Sequence, residues 1–316
     1  MRKTVVRRGL AGIAAVAAAS ALTMASGGVA HAVGTPTGFG AGTTGGGNAA
    51  VTTVTTGSAL VSAMKASGAA VIRVQGMVSF TGMQDVASNK TIIGVGASSG
   101  IQGGGGLDID GATNVIIQNL NLKGGSDDLI NVQDSSTKIW IDHNTFNDSA
   151  DGALDIKRGS DFITVSFNKF QNHDKTMLLG HSDDNGSQDR GHLRVTYHHN
   201  WFAGTTQRHP RVRFGNPVHV YNNYYQGVTS YGVASTMEAG VLVEANYFEN
   251  TNRACDLGQG DSPAGNLVQR NNTLVGSGAC ANTGTGVNAI PYSYTAESAS
   301  AARTNVINGA GAGKIA

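Results

Sequence analysis

The sequence predicts an all-β protein, a parallel β-helix closed by short capping helices, and three observations lead there. An alternating apolar stretch ends in Asn and is followed two places on by a large apolar residue in IDHNTF, VSFNKF, YHHNWF, VYNNYY, VEANYF and QRNNTL. The marker residues Asn144, Asn168, Asn200, Asn223, Asn246 and Asn272 are separated by 24, 32, 23, 23 and 26 residues, too few for a domain and enough for one coil. Finally, 45 glycines with abundant Asn, Ser and Thr supply corners, while helical periodicity is scarce. A leucine-rich-repeat horseshoe is the competing solenoid, but its LxxLxLxxN consensus and helical half are missing.

In chain order, residues 1–32 read as a secretory signal peptide: Arg2, Lys3, Arg7 and Arg8, a small apolar run over 9–25, then Ala30-His31-Ala32 as a cleavage site. A membrane anchor is the alternative, and the Ala-rich run ending in Ser26-Gly27-Gly28 argues against it. The Arg7-Arg8 pair fits twin-arginine export as well as an ordinary charged leader. Residues 33–316 then form a single β-helical domain. GFGAGTTGGGNAAVTTVTTG is irregular and then extended. A solenoid needs caps, and SALVSAMKAS (58–67) suits a capping helix with Ser58 as N-cap and Leu60, Val61 and Met64 on one side. A second helix over 296–304 covers the far end.

Between the caps, period-two cores such as Ile139, Ile141 and His143, or Val195, Tyr197 and His199, point alternate side chains inward. Coils stacked about 4.8 Å apart put the asparagines in one column and Phe146, Phe170, Phe202, Tyr225 and Phe248 in another beside it, with Leu120 in the marker's place one coil earlier. His143 is thereby a satisfied core residue, not a ligand. The 32-residue step carries HDKTMLLGHSDDNGSQDRG, a polar insertion that loops out of the stack, where binding residues gather. Cys255 and Cys280 either form a disulfide across a loop of about 25 residues, contributing on the order of 3 kcal/mol, or stay as two buried thiols.

Without the four cations of residues 1–32, 18 Lys+Arg face 21 Asp+Glu, a net charge of about minus three that does not point to nucleic acid. No later stretch approaches the roughly 18 apolar residues of a membrane span, so the mature protein is expected to be soluble, extracellular and monomeric. Seven or eight residues past the first markers stand Asp128, Asp151, Lys175 and Arg208, charges of both signs at one phase of successive coils. Asp151 and Asp155, four apart, share a strand face, and Asp128 lies one coil below. Three close carboxylates repel one another unless a cation sits between them, and an oxygen-only set suits Ca²⁺ better than Zn²⁺. The competing reading pairs these acids with Lys157, Arg158 or Lys175 in an ion network. Arg208, Arg211 and Arg213 hold an acidic polymer or simply form a solvated basic strand.

WIDHNTF (140–146), DGALDIKRGSDFITVSFNKF (151–170), HDKTMLLGHSD (173–183) and QRHPRVRFGNPVHVYNNYY (207–225) resemble, in order, the signature blocks of the bacterial pectate lyases of polysaccharide lyase family one. The resemblance runs from GFGAGTTGG to about residue 250 and implies a right-handed parallel β-helix that cleaves polygalacturonate by Ca²⁺-dependent β-elimination, leaving 4,5-unsaturated ends. It implies Asp128, Asp151 and Asp155 as Ca²⁺ ligands, Lys175 and Arg213 as substrate-binding residues, and Arg208 as the base. Some members carry another acidic ligand two residues before the first. Here that place holds Ser126, with Asp127 beside it, so water takes the fourth position or Asp127 does. A guanidinium, which stays protonated far above neutral pH, is a demanding base, and cationic crowding around it implies an alkaline optimum. Pectin lyases, acting on methyl esters without a metal site, and a non-catalytic polysaccharide-binding β-helix are the alternatives. Retention of three aspartates weighs against the first and the Lys175, Arg208, Arg213 set against the second.

Overall fold

From residue 119 onward the coils turn their first corner on two residues, and the second is the marker, Leu120 in the first of them and asparagine in the rest. The residue before it takes the left-handed conformation throughout: Asn119, His143, Phe167, His199, Asn222, Ala245 and Asn271 have φ between 48° and 58°. A non-glycine pays roughly 1–2 kcal/mol for that conformation. The asparagine amides offset the cost. Asn168 Oδ1 accepts from both Asn144 N (2.9 Å) and Asn144 Nδ2 (3.1 Å), and the same pair of bonds recurs from Asn168 to Asn200, Asn200 to Asn223, Asn223 to Asn246 and Asn246 to Asn272.

The computed structural model describes Met1 and residues 32–315; the expected signal peptide, residues 1–32, lies outside the described residues except at its two ends. The described strands form three parallel sheets of ten, nine and eight members, stacked coil on coil. One coil shows the plan: Thr137–Asp142 in the first sheet, the corner at His143 and Asn144, Thr145–Ser149 in the second, Leu154–Ile156 in the third, then Asp161–Ser166 back in the first. Phe146, Phe170, Phe202, Tyr225 and Phe248 are in register and fully buried, their ring centroids 4.3–5.2 Å apart. Leu122 extends that column below Phe146, which places Leu120 at the marker position. Cys255 and Cys280 are joined in a disulfide.

Several expectations need correction. His143 is not a core residue: the left-handed corner interrupts the alternation, so its ring lies outside the barrel, stacked on Phe167 at 4.9 Å, with Nδ1 2.6 Å from Asp142 Oδ2. The first helix, α1 (Gly57–Lys65), begins before Ser58, and Thr56 caps it by accepting from Ala59 N at 3.3 Å; Leu60 and Met64 close the lower end of the core. In the long coil, Lys175 to Leu179 stay in the stack, because Met177 and Leu179 fill the core, and only the residues from Gly180 onward loop out, carrying the short α2 (Gly186–Asp189). The last helix, α3 (Ala299–Gly309), does not cover the far end. It lies on the flank of the second sheet, with Val306 and Ala310 against Tyr224, Trp201 and Tyr247.

The outer face of the first sheet is covered by both ends of the chain. Phe39 N donates to Thr196 Oγ1, Gly40 N to Thr164 Oγ1 and Gly46 N to Thr91 Oγ1, each at 2.9–3.0 Å, so the amino-terminal segment straps several coils together. Glycine is required where the strap comes closest: a Cβ on Gly46 would sit 2.2 Å from Ala70 O. From the other end, Tyr292 Oη reaches Thr196 Oγ1 and His219 Nδ1, both at 2.7 Å. The second sheet's corner with the third, by contrast, carries the charged row.

Candidate functional site

Four successive coils turn from the second sheet to the third through Ser126-Asp127-Asp128, Asp151-Gly152, Asp174-Lys175 and Gln207-Arg208. Bridges from Gly152 to Lys175 and from Lys175 to Gln207 hold these corners in line, so acids and then cations follow one another along the solenoid. Asp155 stands in the adjoining strand, outward, in register with Asn131 on one side and near Leu178 N, which donates to its Oδ1 at 3.1 Å.

The acids divide differently from the expectation that Asp151 and Asp155 share a strand face. The strand begins only at Leu154, and Asp151 belongs to the turn before it. Asp128 and Asp155 converge over Gly152, where a Cβ would stand 2.6 Å from an oxygen of each, so a side chain there would fill the space between them. Asp128 is nearly buried and accepts from Gly152 N at 2.8 Å. Burial, and next the Asp128 charge, push the Asp155 carboxyl up to about 7. Burial likewise raises Asp128, against the pull of Lys157. On the solvent side, Asp127, Asp128 and Asp151 each present a ligand atom within 4.8 Å of the others. Ser126 is turned away, its Oγ donating to Gly104 O at 2.8 Å.

Cations already flank this cluster. Lys175 Nζ lies 2.8 Å from Asp151 Oδ1, and that hydrogen bond holds the carboxyl below its usual range. Lys157 Nζ stands 3.5 Å from Asp128 Oδ2, while Arg158 faces Asp134 instead. The ion-network reading of the acids is therefore realised by Lys157 and Lys175. Arg208, left-handed with φ 64°, adds its charge to the field at Asp151 and Asp155, and its Nε is buried without a hydrogen-bond partner. Arg211 and Arg213 share an outward face about Val212. Arg213 is held by the loop beyond Leu179, Nε to Asp183 Oδ1 at 2.5 Å, and Arg211 by Gln259 O and Ser262 Oγ.

The geometry thus assembles Asp128, Asp151, Asp155, Lys175 and Arg208 and sets Arg213 against Asp183. Lys157, which the sequence offers only as an ion-pair partner, also belongs to the site, as do Asp183 and Tyr231, whose phenol lies within the fields of Arg211 and Arg208. Only the coil register, through which residues 23 or more positions apart meet, reveals them.

A parallel β-helix with a carboxylate cluster and a line of cations on its flank defines the class of β-helical, carbohydrate-active enzymes. A family model described as pectate lyase matches residues 3–315. Pectate lyase E of Dickeya chrysanthemi is 38% identical over 73% of this chain and 72% of its own, and the pectate trisaccharide-lyase of Bacillus licheniformis is 34% identical over 87% and 84%. A pectate lyase from Bacillus sp. N165, solved in complex with trigalacturonate, superposes with a TM-score of 0.77 at 31% identity, covering 88% of this chain and 99% of that one. The chain belongs to the pectate lyase family, polysaccharide lyase family one.

Proposed function

We propose that the protein is a secreted, Ca²⁺-dependent pectate lyase that cleaves α-1,4-linked polygalacturonate internally by β-elimination. The observation that carries this reading is the alignment of four corners, in which the carboxylates of Asp127, Asp128 and Asp151, with Asp155 in the adjoining strand, give way within two coils to Lys175 and Arg208. An anionic polymer lying along the row would meet both.

The residues fit a hard divalent cation. The donors are all oxygen, the Gly152 cradle leaves room between Asp128 and Asp155, and burial, then the Asp128 charge, raises the Asp155 carboxyl, a cost that a cation between the two would relieve. Asp128, Asp151 and Asp155 would hold the ion, with Asp127 in the place that Ser126 leaves. Bound there, Ca²⁺ would supply charge neutralisation for a uronate carboxylate and so acidify the neighbouring C5–H. Lys175 and Arg213 bind and orient that carboxylate, which requires each to leave its present partner, Asp151 and Asp183. Arg208, in its neutral form, takes the C5 proton. The C5–H electron pair forms the C4–C5 double bond, and the C4 glycosidic oxygen departs with its bonding pair, collecting a proton from solvent. The need for a neutral guanidine confines the reaction to alkaline pH.

The test is ultraviolet absorbance of unsaturated product on de-esterified and on methylated pectin, with and without a chelator. Product from the de-esterified polymer alone, abolished by the chelator, is expected. Chelator-resistant product from methylated pectin would establish a pectin lyase instead, and binding without product a non-catalytic solenoid. Arg208→Lys should lower kcat by about 100-fold or more; normal activity in that variant would remove Arg208 as the base.

A further inference from the structure

His209 is fully buried directly beneath this row, and all of its polar groups are engaged. Nδ1 lies 2.9 Å from Tyr231 O, a carbonyl that only accepts, so Nδ1 carries the proton. Nε2 is then the acceptor, and two buried hydroxyls converge on it: Thr205 Oγ1 at 2.8 Å and Thr176 Oγ1 at 3.1 Å. The backbone is pinned as well, His209 N donating to Gly232 O at 3.0 Å and His209 O accepting from Tyr225 Oη at 3.0 Å. The Phe202 ring closes one side, 4.9 Å away and edge-on.

These contacts tie three coils at one point. Thr176 follows Lys175, His209 follows Arg208, and Tyr231 belongs to the next coil, its phenol beside the Arg208 charge. Between the two functional residues the backbone is bonded too, Thr176 N to Gln207 O at 3.0 Å and Met177 N to Arg208 O at 2.8 Å. Arg208 itself is left-handed, a conformation an arginine keeps only where its surroundings impose it. A hydrophobic residue of similar size would fill the same space, yet it would leave Thr176, Thr205 and Tyr231 O without their partner.

We infer that His209 is a positioning residue: it locks the left-handed Arg208 and fixes its distance to the Lys175 coil, so that base and carboxylate-binding lysine stay in register on the substrate. Burial keeps the ring neutral, its pKa lowered to about 3, so the clamp does not change over the alkaline range in which the reaction runs. The inference rests on Arg208 acting as the base, and its test separates the two.

The experiment compares His209→Leu, His209→Asn and the double variant Thr176→Val/Thr205→Val with the parent protein. Two quantities are read: kcat and KM on polygalacturonate, and the rate at which phenylglyoxal labels Arg208, followed by peptide mass spectrometry on chelated protein. His209→Leu is expected to lower kcat on the order of 100-fold with a much smaller change in KM, and to speed labelling severalfold. His209→Asn, which keeps the donor to Tyr231 O, recovers part of both. Should His209→Leu fail to fold, the threonine pair carries the test with the same signs. Unchanged labelling and kcat in folded variants would overturn the inference even if their melting temperature fell. An active Arg208→Lys protein would defeat the base assignment alone, because the labelling arm needs no activity.

Discussion

Lys175 Nζ and Asp151 Oδ1 are 2.8 Å apart, an ion pair from one coil to the next that joins a residue assigned to substrate with one assigned to metal. Both side chains are about half exposed, so the pair contributes only ~0.2–1 kcal/mol. Its removal acts oppositely on the two functions. Lys175→Ala frees Asp151 and should tighten Ca²⁺ binding, by no more than about fivefold, while kcat/KM falls by about 100-fold or more because the uronate carboxylate loses its cation. Calorimetric Ca²⁺ titration and initial rates measure the two effects. Weaker Ca²⁺ binding in the variant would contradict the exchange of partners.

Asp155 links pH to stability in the metal-free protein. Its carboxyl is raised from 3.8 to about 7, so the folded state holds a proton that the unfolded state releases earlier. With the folded value the higher one, stability is lost as pH climbs from about 4 to about 7, on the order of 2–4 kcal/mol at the top. Chelated protein should melt lower at pH 8 than at pH 5. Asp155→Asn should flatten that difference and also remove most of the stabilisation that Ca²⁺ gives at pH 8. Thermal melts across the range, with and without Ca²⁺, decide it.

The columns of Asn144 to Asn272 and Phe146 to Phe248 were legible because a solenoid converts sequence period directly into contact. The row Asp128, Asp151, Lys175 and Arg208 was legible for the same reason. His143 was misplaced because the left-handed residue at this corner flips the alternation, and its φ of 53° leaves no trace in an apolar-polar pattern. The amino-terminal strap could not be read either: Phe39 meets Thr196 at a separation of 157 residues, which no local pattern encodes. Lys157 and Asp127 join the cluster through turn geometry, and turns in this chain vary in length from coil to coil.

Asn200 sits mid-ladder with no exposed surface, accepting from Asn168 N and Nδ2 and donating to Val165 O and Asn223 Oδ1. Asn200→Ala strands several buried groups at once, each worth ~1–3 kcal/mol, and should destabilise by about 3 kcal/mol or more. Asn272, at the partly exposed end of the ladder, should cost less on the same change. Urea unfolding of the two variants gives the comparison, and equal losses would mean that the ladder acts through the corner alone rather than through burial.

Glu244 ties the carboxy-terminal segment to the first sheet. Burial pushes its carboxyl up, but hydrogen bonds from His219 (2.8 Å), Arg270 (2.6 Å) and Tyr294 outweigh burial and hold it at about 2. Because the folded value lies below the unfolded 4.5, the gain is fully present above about pH 4.5 and disappears as pH falls through about 2. Arg270 is half exposed and solvent screens its share, which leaves about 2 kcal/mol at neutral pH. His219 strengthens the sign: burial lowers its pKa, so acid must charge a ring that is otherwise neutral between Glu244 and Tyr292. Glu244→Gln should therefore melt several degrees lower than the parent at pH 7, and the two should converge near pH 2. Proteolysis of the segment around Tyr292 and Tyr294, followed against pH, should quicken in the parent over that same acidic interval and in the variant already at neutral pH.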